Sequence, residues 1–114
     1  MKQVLLIAFV FLQLSIVAQD PVNIVPVPAE LIVGSGSFTI DRNTNFVLIG
    51  TGMENTAAYF NEYLQQFQGF RLKITQNNTG SNTIILKNNN SNINNPEGYD
   101  LNVNKNEIYI TGET

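Results

Sequence analysis

The sequence contains no cysteine, no histidine and no tryptophan. Without thiols or imidazoles it can form no disulfide, thiol nucleophile, histidine acid–base dyad or Cys/His metal site. Charge is also scarce: 13% of residues are charged and the net charge is -3, so there is no basic excess to bind nucleic acid. At 114 residues the polypeptide has room for one small domain, which excludes a multidomain enzyme from this chain. The chemistry left to it is that of carboxylates, hydroxyls, amides and six Lys and Arg side chains.

What is present begins with an N-terminal leader. Lys2 is followed by an apolar run from Val4 to Leu12, then Gln13, Leu14, Ser15, Ile16, Val17 and Ala18, with the first acid at Asp20. A charged start, about 15 apolar residues and a small residue at the end predict a secretory signal peptide over residues 1–18, cleaved after Ala18. The run falls short of the ~20 residues needed to span a bilayer. The exported chain would then cover residues 19–114, about 96 residues by subtraction. Small exported domains usually need disulfides, so their absence fits a compartment that does not use them or a domain belonging to something larger.

Pro21, Pro26 and Pro28 punctuate the segment from Val22 to Pro28, predicting an edge strand or a polyproline-like arm. Glu30–Val33, Gly34-Ser35-Gly36-Ser37 and Phe38-Thr39-Ile40 read as strand, turn and strand, and after the turn at residues 41–45, Phe46–Ile49 reads as a short buried strand. Met53, Ala57, Phe60, Leu64 and Phe67 then recur at helical spacing while Glu54, Asn61, Glu62, Gln65, Gln66 and Gln68 face away. Thr51-Gly52-Met53-Glu54 fits a capping box, and Gly69 stands where a left-handed C-terminal cap belongs. Phe70–Thr75 and Thr83–Lys87 are strands on either side of the turn 77–82. Asn88–Asn95 is an asparagine-rich surface loop. Tyr99–Val103 and Glu107–Ile110 alternate around Asn104-Lys105-Asn106, a hairpin turn. The expected architecture is α+β: a small, mainly antiparallel sheet of about six strands with one amphipathic helix packed on a face. One helix covers only part of such a face and the other apolar positions need something more, so the chain is expected to be cut short after Thr114.

The nine carboxylates have ordinary positions: Asp41 in a turn, Glu54 as a cap partner, Glu62 on an exposed helix face. Glu97 and Asp100, beside Tyr99, are the closest candidate acid pair for a small enzyme, against the reading that acids at strand ends are solvated. Gly34-Ser35-Gly36 lacks a following helix and the helix after Gly50-Thr51-Gly52 lacks a phosphate-loop lysine, so both read as turns. There is no calcium-loop pattern. Asn77-Asn78-Thr79 and Asn89-Asn90-Ser91 fit the glycosylation sequon, a match that chance readily supplies in so asparagine-rich a chain. Phe60, Phe67 and Phe70 read as core. Tyr59 and Tyr63, four apart on the helix, read as a rim packing on a neighbour or, alternatively, as a sugar-stacking strip.

Ile24-Val25-Pro26-Val27-Pro28, followed by Gly36-Ser37-Phe38-Thr39-Ile40 and Thr44-Asn45-Phe46, resembles the opening of the non-catalytic N-terminal domain of family 20 glycoside hydrolases, the β-N-acetylhexosaminidases. A second block, Pro96-Glu97-Gly98-Tyr99-Asp100-Leu101-Asn102-Val103 and then Ile108-Tyr109-Ile110-Thr111-Gly112, is similar to that family's P-E-G/A-Y-x-L-x-V and I-x-I-x-G/A strands. Tyr59, Phe60 and Leu64 match its helix. The resemblance covers residues 22–114. It implies that a G-x-F/Y-Y-G-x-Q-T-L helix and then a catalytic TIM barrel with an Asp-Glu pair follow in the parent enzyme. There the substrate's own 2-acetamido group acts as nucleophile. No Asp-Glu dipeptide stands in this sequence, so no catalytic, cofactor-binding or metal residue is carried onto it and no cofactor is expected.

The reading is therefore a signal peptide (residues 1–18) and a hexosaminidase N-terminal domain (residues 19–114), inactive alone. Its partner is the absent barrel, and glycan is met only through the parent. Export to the periplasm or beyond, without nucleic acid and without membrane attachment after cleavage, completes the expectation. The alternative is a free-standing exported carbohydrate-binding or adhesion module.

Overall fold

The computed structural model describes residues 22–89 and 98–113, and the chain divides into two units, Met1–Gly34 and Ser35–Thr114. The expected signal peptide, Glu97, the Asn90–Asn95 loop and the side chain of Asn89 lie outside the described residues. In the first unit, residues 22–34 form no strand, and Val25, Val27 and Ile32 are almost fully exposed. The expected strand at Glu30–Val33 does not form. With no ladder to join, its apolar side chains stay in solvent.

The second unit holds β1 (Asn45–Ile49), α1 (Glu54–Gln68), β2 (Lys73–Thr75), β3 (Thr83–Asn89), β4 (Tyr99–Val103) and β5 (Glu107–Glu113). The strands form one five-stranded sheet in the order β2-β1-β3-β5-β4. An α+β unit with one helix is as expected, but the strand count and the pairing are not. Three of the four pairings are parallel, and only β4 with β5 is antiparallel. The reason lies in the connections. A 15-residue helix after β1 returns the chain to the sheet's starting level, which is what a parallel neighbour requires. β2 has only three residues, so the short link through residues 76–82 also returns to that level and lets β3 join the other side of β1. The continuous apolar runs Phe46–Ile49 and Ile84–Leu86 suit the centre of such a sheet, where both faces are buried. Phe46, Val47, Ile84 and Ile85 are all buried. Phe38 and Ile40, expected in a hairpin, instead pack as irregular chain against the core.

Register places Phe46, Ile84 and Ile108 in one row and Leu48, Leu86 and Ile110 in the next, on a single face. Ala57 and Leu64 of α1 pack there with Phe46, Ile84 and Leu72, and the Phe60 ring meets Phe46 edge-on at 5.6 Å between centroids. On the reverse face Thr75, Val47, Ile85 and Tyr109 share a row.

The helix departs from the expected wheel at two positions. Asn61, expected to face away, is buried: its Oδ1 accepts the Leu72 N–H at 2.8 Å and its Nδ2 donates to the Leu72 carbonyl at 3.0 Å. That pair satisfies both backbone groups of a residue just before β2, where the chain has left the helix and not yet joined the ladder. Phe67, expected in the core, is 59% exposed and leans on Tyr63. The capping box also fails to form. Met53 is the N-cap with no side-chain cap bond, its own side chain buried instead. Gly69 caps the C-terminus as expected, at φ 74° with its N–H donating to the Gln65 carbonyl.

A polar seam joins the starting ends of the parallel strands. The Thr44 hydroxyl, buried before β1, donates to Asn82 Oδ1 at 2.7 Å, and Asn82 Nδ2 donates to Asp41 Oδ1 at 3.2 Å. Asn82 adopts φ 48°, a left-handed conformation that asparagine tolerates. Its carbonyl accepts the Asn45 N–H, and the Thr83 N–H donates to Asn106 before β5. The Asn104–Asn106 hairpin turn forms as expected, with Asn104 Oδ1 accepting the N–H groups of Asn106 and Glu107.

Candidate functional site

The acidic side chains do not converge. Glu30, Asp41, Glu54, Glu62 and Asp100 are exposed, only Glu54 and Glu62 share an element, α1, and among the described residues no cluster of three or more acids could hold a metal ion. Asp100 sits on β4 opposite Thr111, so the pair considered with Glu97 cannot be assembled from described residues. Asp41 is held below the usual carboxylate range, chiefly by the Asn43 N–H at 2.8 Å and then by the Asn82 amide. Those donors make a turn rather than a reaction centre. Gly36, at φ 100°, lies beside the Lys105 side chain, and Gly50 lies against Asn88 and Met53, so both glycine turns make packing contacts. Asn77 is exposed in the link after β2, its N–H bonded to the Thr75 hydroxyl.

What the unit does offer is an incompletely covered apolar face. Leu101 is paired with Ile110 and Val103 with Ile108, so both lie on the face that α1 covers over β1 and β3. There they are 43% and 53% exposed. On α1, Tyr59, Tyr63 and Phe67 recur every fourth residue and are all exposed, the rings of Tyr63 and Phe67 4.5 Å apart. Asn61 ties one flank of the helix to Leu72 beside β2. By helical spacing Phe60 and Phe67 lie on the opposite flank, where the Phe60 ring meets Phe46 of β1. The unit thus exposes apolar side chains both on α1 and on β4. Neither the exposure of Phe67 nor the openness of β4 could be read from spacing alone, because both depend on which half of the sheet the helix crosses.

The described residues thus form a helix-on-sheet unit marked by open apolar surface and not by converging polar groups. The family model for glycosyl hydrolase family 20, domain 2, matches residues 21–114, and the chain belongs to this family as its non-catalytic N-terminal domain. No curated relative matches the chain.

Proposed function

We propose that this chain serves as the N-terminal support domain of an exported β-N-acetylhexosaminidase, a glycosidase that removes terminal N-acetylhexosamine from glycans. The observation that carries the reading is the family match over residues 21–114. Domains of this type accompany a catalytic barrel in their parent chains. In this reading a second helix lies in the corner between α1 and β4, against Phe67, Ile110, Leu101 and Val103. Burying that surface contributes about 25 cal/mol per Å² of apolar area. The barrel then rests on the completed two-helix layer and supplies all of the chemistry. The domain itself, without the family's Asp-Glu pair, holds the barrel in place. The leader through Ala18 directs the protein out of the cytoplasm.

Two measurements test this. The nucleotides downstream of the Thr114 codon should encode a G-x-F-Y-G helix and a barrel; a downstream sequence encoding neither removes the reading. The purified chain should leave a chromogenic N-acetylglucosaminide intact, and hydrolysis by the chain alone would overturn the supporting role. A second reading, a free-standing carbohydrate-binding or adhesion module, draws on the exposure of Tyr59 and Tyr63. It requires affinity for N-acetylglucosamine oligomers that is lost in Tyr59→Ala/Tyr63→Ala.

A further inference from the structure

Among the described residues the sheet ends in two unlike edges. β2 has three residues, carries Lys73 and follows Arg71, the short and charged form that discourages strand addition. β4 has five residues, Tyr-Asp-Leu-Asn-Val, with no Lys, Arg or Pro, and all five are exposed. Its hydrogen-bonding pattern can be worked out from the hairpin. The Asn104 N–H donates to the Glu107 carbonyl, so bonding toward β5 alternates from there through Asn102 and Asp100. The N–H and C=O groups of Tyr99, Leu101 and Val103 therefore point away from β5, along the open edge.

We propose that β4 joins β4 of a second copy of this chain in an antiparallel pair, with Leu101 opposite Leu101 on a two-fold axis. Three features of the strand fit this register. The outward-bonding residues meet one another, Tyr99 opposite Val103 on each side of the axis, giving roughly six new backbone hydrogen bonds. The apolar side chains of Tyr99, Leu101 and Val103 stay on one face, so the apolar rows of two sheets become continuous. The single charge on the strand, Asp100, faces Asn102 rather than its own copy, so no like charges oppose. Shifting the pairing by two residues loses outward pairs, and shifting it by one puts outward groups opposite inward ones. The surface is self-complementary in the way a two-fold interface requires. It is independent of the hexosaminidase reading, because a helix laid on the face of β4 leaves its edge free.

The test is sedimentation equilibrium of the whole chain over a wide concentration range, with Leu101→Lys, Leu101→Glu and an equimolar mixture of the two. Wild type should form a dimer. Each charged variant should lose at least about tenfold in dimer affinity, since its charge meets itself on the axis, and the mixture should regain it. A strictly monomeric wild type, a dimer that survives both substitutions, or a mixture that stays monomeric would each overturn the proposal. So would a dimer abolished by Phe67→Ser and untouched at Leu101, which would place the interface on the helix. Should the variants fail to fold, amide exchange on wild type decides: Leu101 and Val103 should gain protection as concentration rises while Lys73 does not. Concentration-independent exchange at Leu101 would sink the idea.

Discussion

The two halves of the helix-bearing face are built from similar residues and end in different states. Over β1 and β3, Phe46 and Ile84 are 3% exposed beneath Ala57 and Leu64. One strand further Ile108 and Ile110 are half-buried, and at β4 Leu101 and Val103 are open. Composition does not separate these halves, because each carries aliphatic side chains in matching register rows. The separation comes from the reach of one helix. α1 is anchored by Asn61 over the β2 side, and its width of about 10 Å spans roughly two strands at 4.8 Å spacing. The finished half is therefore where stability should reside, and the open half is where association should occur.

The largest expected effect sharpens that contrast. Leu64→Ala in the finished half should cost about 2–5 kcal/mol, and Leu101→Ala in the open half should stay within about 0.5 kcal/mol. Urea unfolding of both variants measures the difference, and comparable losses would break the distinction. Next comes the anchor itself. Asn61→Leu keeps the number of side-chain heavy atoms but orphans the Leu72 N–H and C=O, at about 1–3 kcal/mol for a buried group left unpaired. Native-state exchange should show the Leu72 amide deprotected while Ile85 keeps its protection. Unchanged exchange at Leu72 would mean that Asn61 does not anchor the helix.

The smallest effect concerns the seam at the start of β1. The Asp41 carboxyl is held below its unfolded value by the Asn43 N–H and then the Asn82 amide, so its contribution is complete above the ordinary carboxylate range. It is lost as pH falls through the lowered folded value. Asp41→Asn should flatten that part of the acid unfolding curve, with a small loss of stability near neutrality that vanishes as pH falls through the lowered folded value. An NMR titration of Asp41 with its midpoint at or above ~3.9 would contradict the assignment.

How much of this could be read from the residues varies by element. The helix, its Gly69 cap and the hairpin at Asn104–Asn106 are legible because each is fixed by neighbours in sequence. The parallel order is not, since adjacent strands in a chain suggest hairpins unless connection lengths are weighed against strand lengths. The capping box is another local pattern that did not form: Met53, buried, takes the N-cap position with no side-chain cap bond. Asn61 shows the limit most clearly. As an amide on a helix it reads as solvent-facing, and only the path of the chain at Leu72 gives it two backbone partners. Phe67 is the converse, an apolar residue at the right spacing but past the edge of what the helix covers. The open half of the face could be anticipated only as a deficit of cover, without its position.

By itself the sequence determined the chemistry that is excluded, the one helix and its end, and the hairpin, because these rest on residue types and local spacing, while membership in family 20 rests on the family match along residues 21–114. The tertiary structure alone decided the parallel pairing, the buried amide at Asn61 and the open β4 edge. The pairing rests on where each connection returns the chain, the amide on the path of the chain at Leu72 and the edge on the strand order, all long-range relations that no window of sequence contains.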